Sequence, residues 1–313
     1  MPAPTKSDVH VNKPLTQISE AILQDSDSFA AQGLWPSIGV ENRSDVFFKY
    51  DSADFNKDDF QLRAAGAESK VVGFGVSTDN YVCNVKSLAV DLDEQTLANA
   101  DAPLDLEADA TKMLMNKLLI HMEKEWISSF FGAGKWYGAA DGTGWNWSSA
   151  DNDPIGDIQN LADGIIGPRM NQLVMGIDSY RMFINHPLVV DRIKYTQTGT
   201  VTQDLVAGLL GFDKVVVLNS FEALSATNYQ KIGGTAAKSS VLLMHTASSP
   251  SLLTASAGYC FKWDRLMGGG AGQRVYRYEI PERRCTRIEV EAAYAFKQIS
   301  LGLGAFQSAV TSA

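Results

Sequence analysis

Between Val40 and about Leu92 the chain reads as a β ribbon with little of its own to lie on. The β-prone runs DVFFKY at 45–50, KVVGFGV at 70–76 and NYVCNV at 80–85 surround a polar, charged middle, the pattern of two strands joined by a long connection. Arms of about 18 to 20 residues at ~3.3 Å per residue would each reach on the order of 60 Å. That exceeds the radius of a 313-residue domain, and an isolated two-stranded ribbon is marginal in water. Support from outside the domain is therefore expected.

The stretch from Ser251 to Ala309 is also built for contact rather than turnover. It strings together SLLTASAGYCFKW, MGGGAGQRVYRYE and RRCTRIEVEAAYAFKQISLGLGAFQSA. Val275, Tyr276 and Tyr278 lead to Ile280 and Pro281, after which Ile288, Val290 and Ala292 alternate with Glu289 and Glu291, the period of a half-exposed strand. Between the two β regions the clearest helix runs from Pro103 to about Phe131, with Asp105, Glu107 and Asp109 near its start, where acids favour the helix dipole. Ala108, Met115, Leu118, Leu119, Met122, Trp126 and Phe130 form its expected apolar face; about 28 residues would span roughly 42 Å.

A Gly-rich loop at 132–150 carries Trp136, Tyr137, Trp145 and Trp147. Pinning that loop to its own or a neighbouring subunit suits these rings better than stacking on sugars or bases, because local Lys and Arg are scarce. An α/β patch follows. Its helix from about Asp153 to Ile166 has Asp153 as N-cap, Pro154 at the first position, Ile155, Ile158, Leu161, Ala162 and Ile165 on one face, and Gly167-Pro168 as a stop. Strands are expected at Gln172 to Ile177 and Lys214 to Leu218, and helices at Ser179 to Asn185, Leu188 to Tyr195 and Thr202 to Leu210, the last ended by Gly211. The class is α+β.

With 45% hydrophobic and 20% charged residues the chain folds, and a net charge of −9 argues against a protein that grips phosphate backbones. Cys83, Cys260 and Cys285 are odd in number and far apart, so neither a disulfide framework nor a zinc site is expected and a reducing compartment is the default. The N-terminus lacks a signal-peptide core, and no window approaches the ~20 apolar residues of a membrane helix. Residues 1 to about 35 read as a polar arm with one helical patch at Leu15, Ile18, Ile22 and Leu23, dependent on a neighbour for order.

Catalytic patterns are missing. There is no GxxxxGK[ST] loop, no GxSxG elbow and no HExxH, and His10, His121, His186 and His245 are scattered. His121 and Glu125 share a helix face, but two ligands without a third read as a solvated face; His186, before Pro187, reads as a cap or surface residue. Gly73-Phe74-Gly75 and Gly302-Leu303-Gly304 read as turns, bulges or close backbone approaches, and the run at Gly268-Gly269-Gly270 with Gly272 as a flexible turn. Arg283, Arg284 and Arg287 lie among Glu282, Glu289 and Glu291 and read as salt-bridge partners. No catalytic residue, cofactor or metal is expected.

The order of parts resembles the major capsid proteins of tailed bacteriophages, the Hong-Kong-97-type shell fold. The likeness is carried by DPIGDIQNLADGI at 153–165, VMGIDSYRMFINHP at 174–187, DLVAGLLGFDKVVVLNS at 204–220, SAGYCFKW and RIEVEAAYAFKQIS. The resemblance implies an N-terminal arm at 1–35 and an extended β-hairpin loop at 36–92. A spine helix and aromatic loop of the peripheral domain follow at 93–150, an axial domain at 151–260, and a β-rich return at 261–313. It further implies that one polypeptide builds an icosahedral shell of hexamers and pentamers around double-stranded DNA, assembled in the host cytoplasm and residing in the virion, with the loop lying over an adjacent copy. Phe47, Phe48, Tyr50, Phe60, Phe74 and Tyr81 are the expected assembly contacts. The implied partners are the chain itself, with scaffolding, portal and decoration proteins as further candidates, and no membrane. Lys49, Lys57 and Lys70 lie in the hairpin, but no pattern singles one out for crosslinking. The closest rival is an encapsulin-like compartment around cargo enzymes; an enzyme with a dispersed site and a carbohydrate-binding module using Trp136, Trp145 and Trp147 are the other readings.

Overall fold

The structure, a computed structural model, describes residues 24–310 apart from 51, 101–104, 138–144, 166, 195–200, 226, 252–253, 268–271 and 309. The strands in chain order are β1 (Ser37–Val40), β2 (Ser44–Tyr50), β3 (Val76–Val82), β4 (Asn84–Asp93), β5 (Gln172–Gly176), β6 (Lys214–Leu218), β7 (Phe221–Ala223), β8 (Tyr229–Lys231), β9 (Val241–Met244), β10 (Gly258–Trp263), β11 (Gln273–Ile280), β12 (Cys285–Gln298) and β13 (Gly304–Gln307).

β12, 14 residues long, organises the first sheet. It pairs antiparallel with β10, β11 and β4, while β1 joins the edge of β10 in parallel. Its alternation falls as expected: Ile288, Val290 and Ala292 are buried while Glu289 and Glu291 are half-exposed, because only one face of the sheet is covered by the spine helix. The second sheet, in the order β13-β9-β5-β6, carries the parallel pair β5–β6. β5 and β9 are buried along their whole length, which suits continuous apolar runs covered on both faces.

The spine helix runs Leu106–Phe130, 25 residues and about 37 Å long. It begins at Leu106 because the Asp105 carboxylate accepts from the Ala108 amide at 3.0 Å; the expected start at Pro103 lies outside the described residues. Its buried apolar side chains are Ala110, Leu114, Met122, Trp126 and Ile127, so the expected face is correct at Met122 and Trp126. Ala108, Met115, Leu118, Leu119 and Phe130 are only half-buried. The helix serves two sheets. Ala110 and Leu114 pack with Leu92, Ile288 and Val290, whereas Trp126 and Ile127 pack with Leu242, Met244 and Phe306, and the buried stripe shifts between them.

Helix signals in the α/β patch act locally. The Asp153 carboxylate accepts from Ile155 N at 3.1 Å with Pro154 behind it, and the helix ends at Asp163, ahead of the expected Gly167-Pro168 stop. Further helices span Ile177–Asn185, Pro187–Ile193 and Gln203–Leu210. The Thr202 hydroxyl caps the last of these at 3.3 Å, and Gly211 ends it at φ 78°, a left-handed conformation that favours glycine. Their apolar faces meet β5, β6 and β9 in one cluster containing Ile155, Ile158, Leu173, Met175, Phe183 and Val206.

The ribbon differs from the expectation. Only β2 and β3 pair as a hairpin, from Ser44↔Val82 to Tyr50↔Val76, seven residues a side, so the arms are shorter than the expected 18 to 20. Residues 70–75 are not strand. β1, inside 36–92, and β4, which runs one residue past it, belong to the first sheet, because the run from Asn84 finds a full-length partner in β12. The helical patch at Leu15 to Leu23 and Gly268 to Gly270 lie outside the described residues; from Ala31 to Trp35 the chain is anchored in the core beside Trp126.

Of the described aromatics in the Gly-rich loop, Trp136 and Trp147 turn inward and Tyr137 is exposed. Trp136 is buried with its Nε1 donating to Phe130 O at 2.7 Å, and Gly304 leaves room for it: a Cβ there would stand 2.2 Å from the indole. Gly304→Ala is therefore expected to cost about 1–3 kcal/mol by overpacking, read as a lowered thermal midpoint.

Candidate assembly surface

The ribbon presents two unlike faces because alternate residues point opposite ways. Asp45, Phe47, Asp79 and Tyr81 share one face by register. Tyr81 stacks on Phe261 with ring centroids 4.5 Å apart, Phe47 lies 5.7 Å from the same ring, and Asp79 pairs with Lys297 at 3.0 Å. Cys83 N donates to Arg43 O at 2.8 Å and closes the base. Val46, Phe48 and Val76 lie on the other face and are exposed.

Beyond the hairpin, residues 56–75 form neither helix nor strand. Tyr50, Phe55 and Phe74 make a triangle with centroids 5.8, 6.1 and 5.9 Å apart. The tip is tied by polar contacts: Lys70 to Asp59 at 2.7 Å, Arg63 to Ser69 at 3.0 Å, and Gly75 N to the Asp54 carboxylate at 2.8 Å. The Lys70 hydrogen bond and charge hold the Asp59 carboxyl below its ordinary range. Such exposed pairs are screened by water and stabilise the tip little. Against them stand Phe60, 99% exposed, and Val71, 92% exposed, together with exposed Leu62 and Val72. Burying each such side chain elsewhere is worth about 1.5–3 kcal/mol.

Of the six nominated contacts, Phe48, Phe60 and Phe74 are exposed, Tyr50 is half-buried in its triangle, and Phe47 and Tyr81 face their own core. Tyr81 is a core residue because its register places it over Phe261. Val46, Leu62, Val71 and Val72 are exposed beside the nominated residues, and the alternation in DVFFKY puts Val46 on the face of Phe48.

The remaining polar residues fill structural positions. Arg287 donates to Asp91 at 2.5 and 2.7 Å, with Arg283 at 3.5 Å, and Arg277 clamps Glu107 at 2.8 and 2.9 Å. Glu125 pairs with Lys86 beside exposed His121. His186 is a cap, receiving Leu188 N at 3.3 Å, but is buried and not a surface residue. Trp147 is buried with its indole on Asp157 at 3.0 Å, and half-buried Trp145 stacks on it at 5.6 Å, so with Trp136 also buried two of the three rings are closed to a sugar. Burial pushes the Cys83 thiol up to about 11 and Cys260 up to about 12. No group of His, Cys, Asp or Glu among the described residues could hold a metal ion, and no described helix is long and apolar enough to cross a membrane.

A two-sheet body on a shared spine, with an apolar ribbon tip that its own chain leaves bare, is the Hong-Kong-97-type shell fold of phage capsids. The chain is similar to the major capsid protein of Burkholderia phage BcepMu, 24% identical over 216 residues that cover 66% of this chain and 68% of the relative. Among solved structures, a phage-related protein from Bordetella bronchiseptica RB50 superposes with a TM-score of 0.68 at 18% identity, covering 93% of this chain and 95% of that one. The capsid of cyanophage P-SCSP1u gives 0.60 at 11% identity (98% and 94% covered), and the SrpI encapsulin of Synechococcus elongatus PCC 7942 gives 0.57 at 12% (97% and 98%). No protein-family model matches the chain.

The Arg287 hydrogen bonds, followed by its charge and that of Arg283, hold the Asp91 carboxyl below the ordinary range. This contribution is complete above about pH 4 and fades as pH falls through the lowered pKa. Arg287→Gln should therefore lower the denaturation midpoint at neutral pH, with the gap from the parent narrowing toward about pH 2–3. An unchanged gap would contradict this account.

Proposed function

We propose that copies of this chain assemble as hexamers and pentamers into an icosahedral phage capsid shell that encloses double-stranded DNA. The observation that carries this reading is the ribbon tip: Phe60, Leu62, Val71 and Val72 are bare in the single chain, and a patch of that kind marks a protein–protein contact. On a shell fold the available cover is another copy. Val46, Phe48 and Phe74 extend the same surface, whereas Phe47 and Tyr81 fix the ribbon's angle from within. In this scheme residues 1–35 act as an arm, 36–92 contain the extended loop, 93–150 the spine and aromatic loop, 151–260 the axial domain, and 261–313 the return through both. Scaffolding, portal and decoration proteins are the further partners proposed, with assembly in the host cytoplasm. The net charge of −9 suits a wall that encloses DNA without adhering to it.

The likeness to an encapsulin favours one second reading, a compartment around cargo protein. Particles purified from the native source separate the two: nuclease-protected duplex DNA supports the capsid, and a co-purifying cargo enzyme supports the compartment.

Replacing residues 56–75 by a short glycine linker, or introducing Phe60→Asp with Leu62→Asp, removes no contact of the core. The thermal midpoint should move by no more than about 0.5 kcal/mol in stability terms, while closed shells seen by negative-stain microscopy should be lost. Shells of unchanged yield would refute the role of the tip.

A further inference from the structure

Glu123 lies in the second half of the spine helix and has no solvent exposure. Its Oε2 accepts from Ala31 N at 2.7 Å, at the start of the short helix Ala31–Leu34, and its Oε1 lies 3.3 Å from Ser220 Oγ, between β6 and β7. One side chain thus joins the segment that leads in from the N-terminus, the spine, and the edge of the second sheet. Leu34, Trp35, Trp126 and Leu218 surround this junction in a single apolar cluster. Gln24, a few residues earlier, reinforces it by exchanging hydrogen bonds with Phe221 at 2.6 and 2.9 Å.

No cation pairs with Glu123 among the described residues. On the spine, Lys124 is held by Glu222 at 2.8 Å, Glu125 by Lys86, and His121 is exposed. Beside Ser220, Lys231 is bound to Asn219, and on the N-terminal side Asp25 and Asp27 are exposed. None of these charges contributes to the titration of Glu123. An ionised carboxylate here is costly, since buried charges need pairing. The Ser220 hydroxyl donates to a carboxylate in this position; in the neutral acid the carbonyl oxygen accepts from Ala31 N and the acid hydroxyl can reverse the second bond and donate to Ser220 Oγ, which a hydroxyl oxygen accepts. Desolvation, the largest influence, raises the pKa, with the Ala31 amide, the Ser220 hydroxyl and the Ala30 amide opposing it.

We propose that Glu123 is a proton-operated latch: the neutral acid closes the N-terminal segment onto the spine and Ser220, and the proton is given up to water when that segment lifts and exposes the carboxylate. The closed state holds the proton more tightly than the open state, so closure is most favoured below the ordinary glutamate range, about pH 4.3. It weakens as pH rises through the closed-state value and is constant beyond it. Within that window, opening gains up to about tenfold per pH unit.

The test compares the full-length parent with Glu123→Gln, a neutral side chain that keeps an acceptor for Ala31 and a donor for Ser220. Hydrogen exchange of the Ala31 amide is followed in both unassembled chains at matched pH between about 5 and 8, a range reaching toward the pKa of documented buried carboxylates. The parent-to-variant ratio of opening should climb with pH, by up to about tenfold per unit, and then level off. A ratio independent of pH overturns the proposal. Should the variant fail to fold, infrared spectroscopy of Asp157→Asn, which removes the other described carboxyl that burial pushes up, decides instead: a protonated carboxyl band must persist above the pH at which exposed carboxylates have lost theirs, and its loss together with theirs overturns the latch.

Discussion

The packing of one helix against two sheets is the interaction on which the rest of the structure depends. Trp126 of the spine is fully buried among Trp35, its helix neighbour Phe130 and Phe131, with ring centroids 5.9 to 6.3 Å away. Ala110 and Leu114 do the same work one half-length away against β4 and β12. Because the two ends of a single rigid rod are committed to different sheets, the sheets cannot shift independently. Arg277 clamped on Glu107 and Lys86 on Glu125 add polar ties on the first-sheet side. A shell subunit needs such a body: contacts with neighbours are useful only if the surfaces that make them are held in fixed relation.

The ribbon obeys the opposite logic. Its inner face is part of the core through Tyr81 and Phe47 on Phe261, which sets the direction in which the hairpin leaves the body. Its outer face and tip are apolar without cover, and the ion pairs at 54–70 are too exposed to offset that. The free energy that would normally stabilise the monomer is thus left available for association. Glu123 marks a further junction of the same kind, where a segment leaving the body is held by a group that is comfortable only while neutral.

Much of this was legible along the chain. Asp153-Pro154, Thr202 and Gly211 act within one turn of a helix, and period-2 alternation at Ile288 to Ala292 needs only one covered face, so these elements lie where local rules put them. The errors share one cause. Val71 and Val72 carry β propensity but find no partner, while Asn84 to Asp93 finds a 14-residue partner more than 190 positions away; pairing, unlike propensity, is decided by what lies opposite. The spine's buried stripe departs from the single expected face for a related reason: a helix serving two sheets has no single face.

Order along the chain is enough to set the alternation of elements, their caps, the shortage of catalytic patterns, and an apolar ribbon in excess of what one domain can cover. These are properties of neighbouring residues and of composition. Which side of that ribbon is core and which is bare, that Tyr81 turns in while Phe60 stays out, and that Glu123 is sealed between Ala31 and Ser220 emerge only once the elements have packed. Burial is set by surfaces brought together from distant parts of the chain, and no local spacing encodes it.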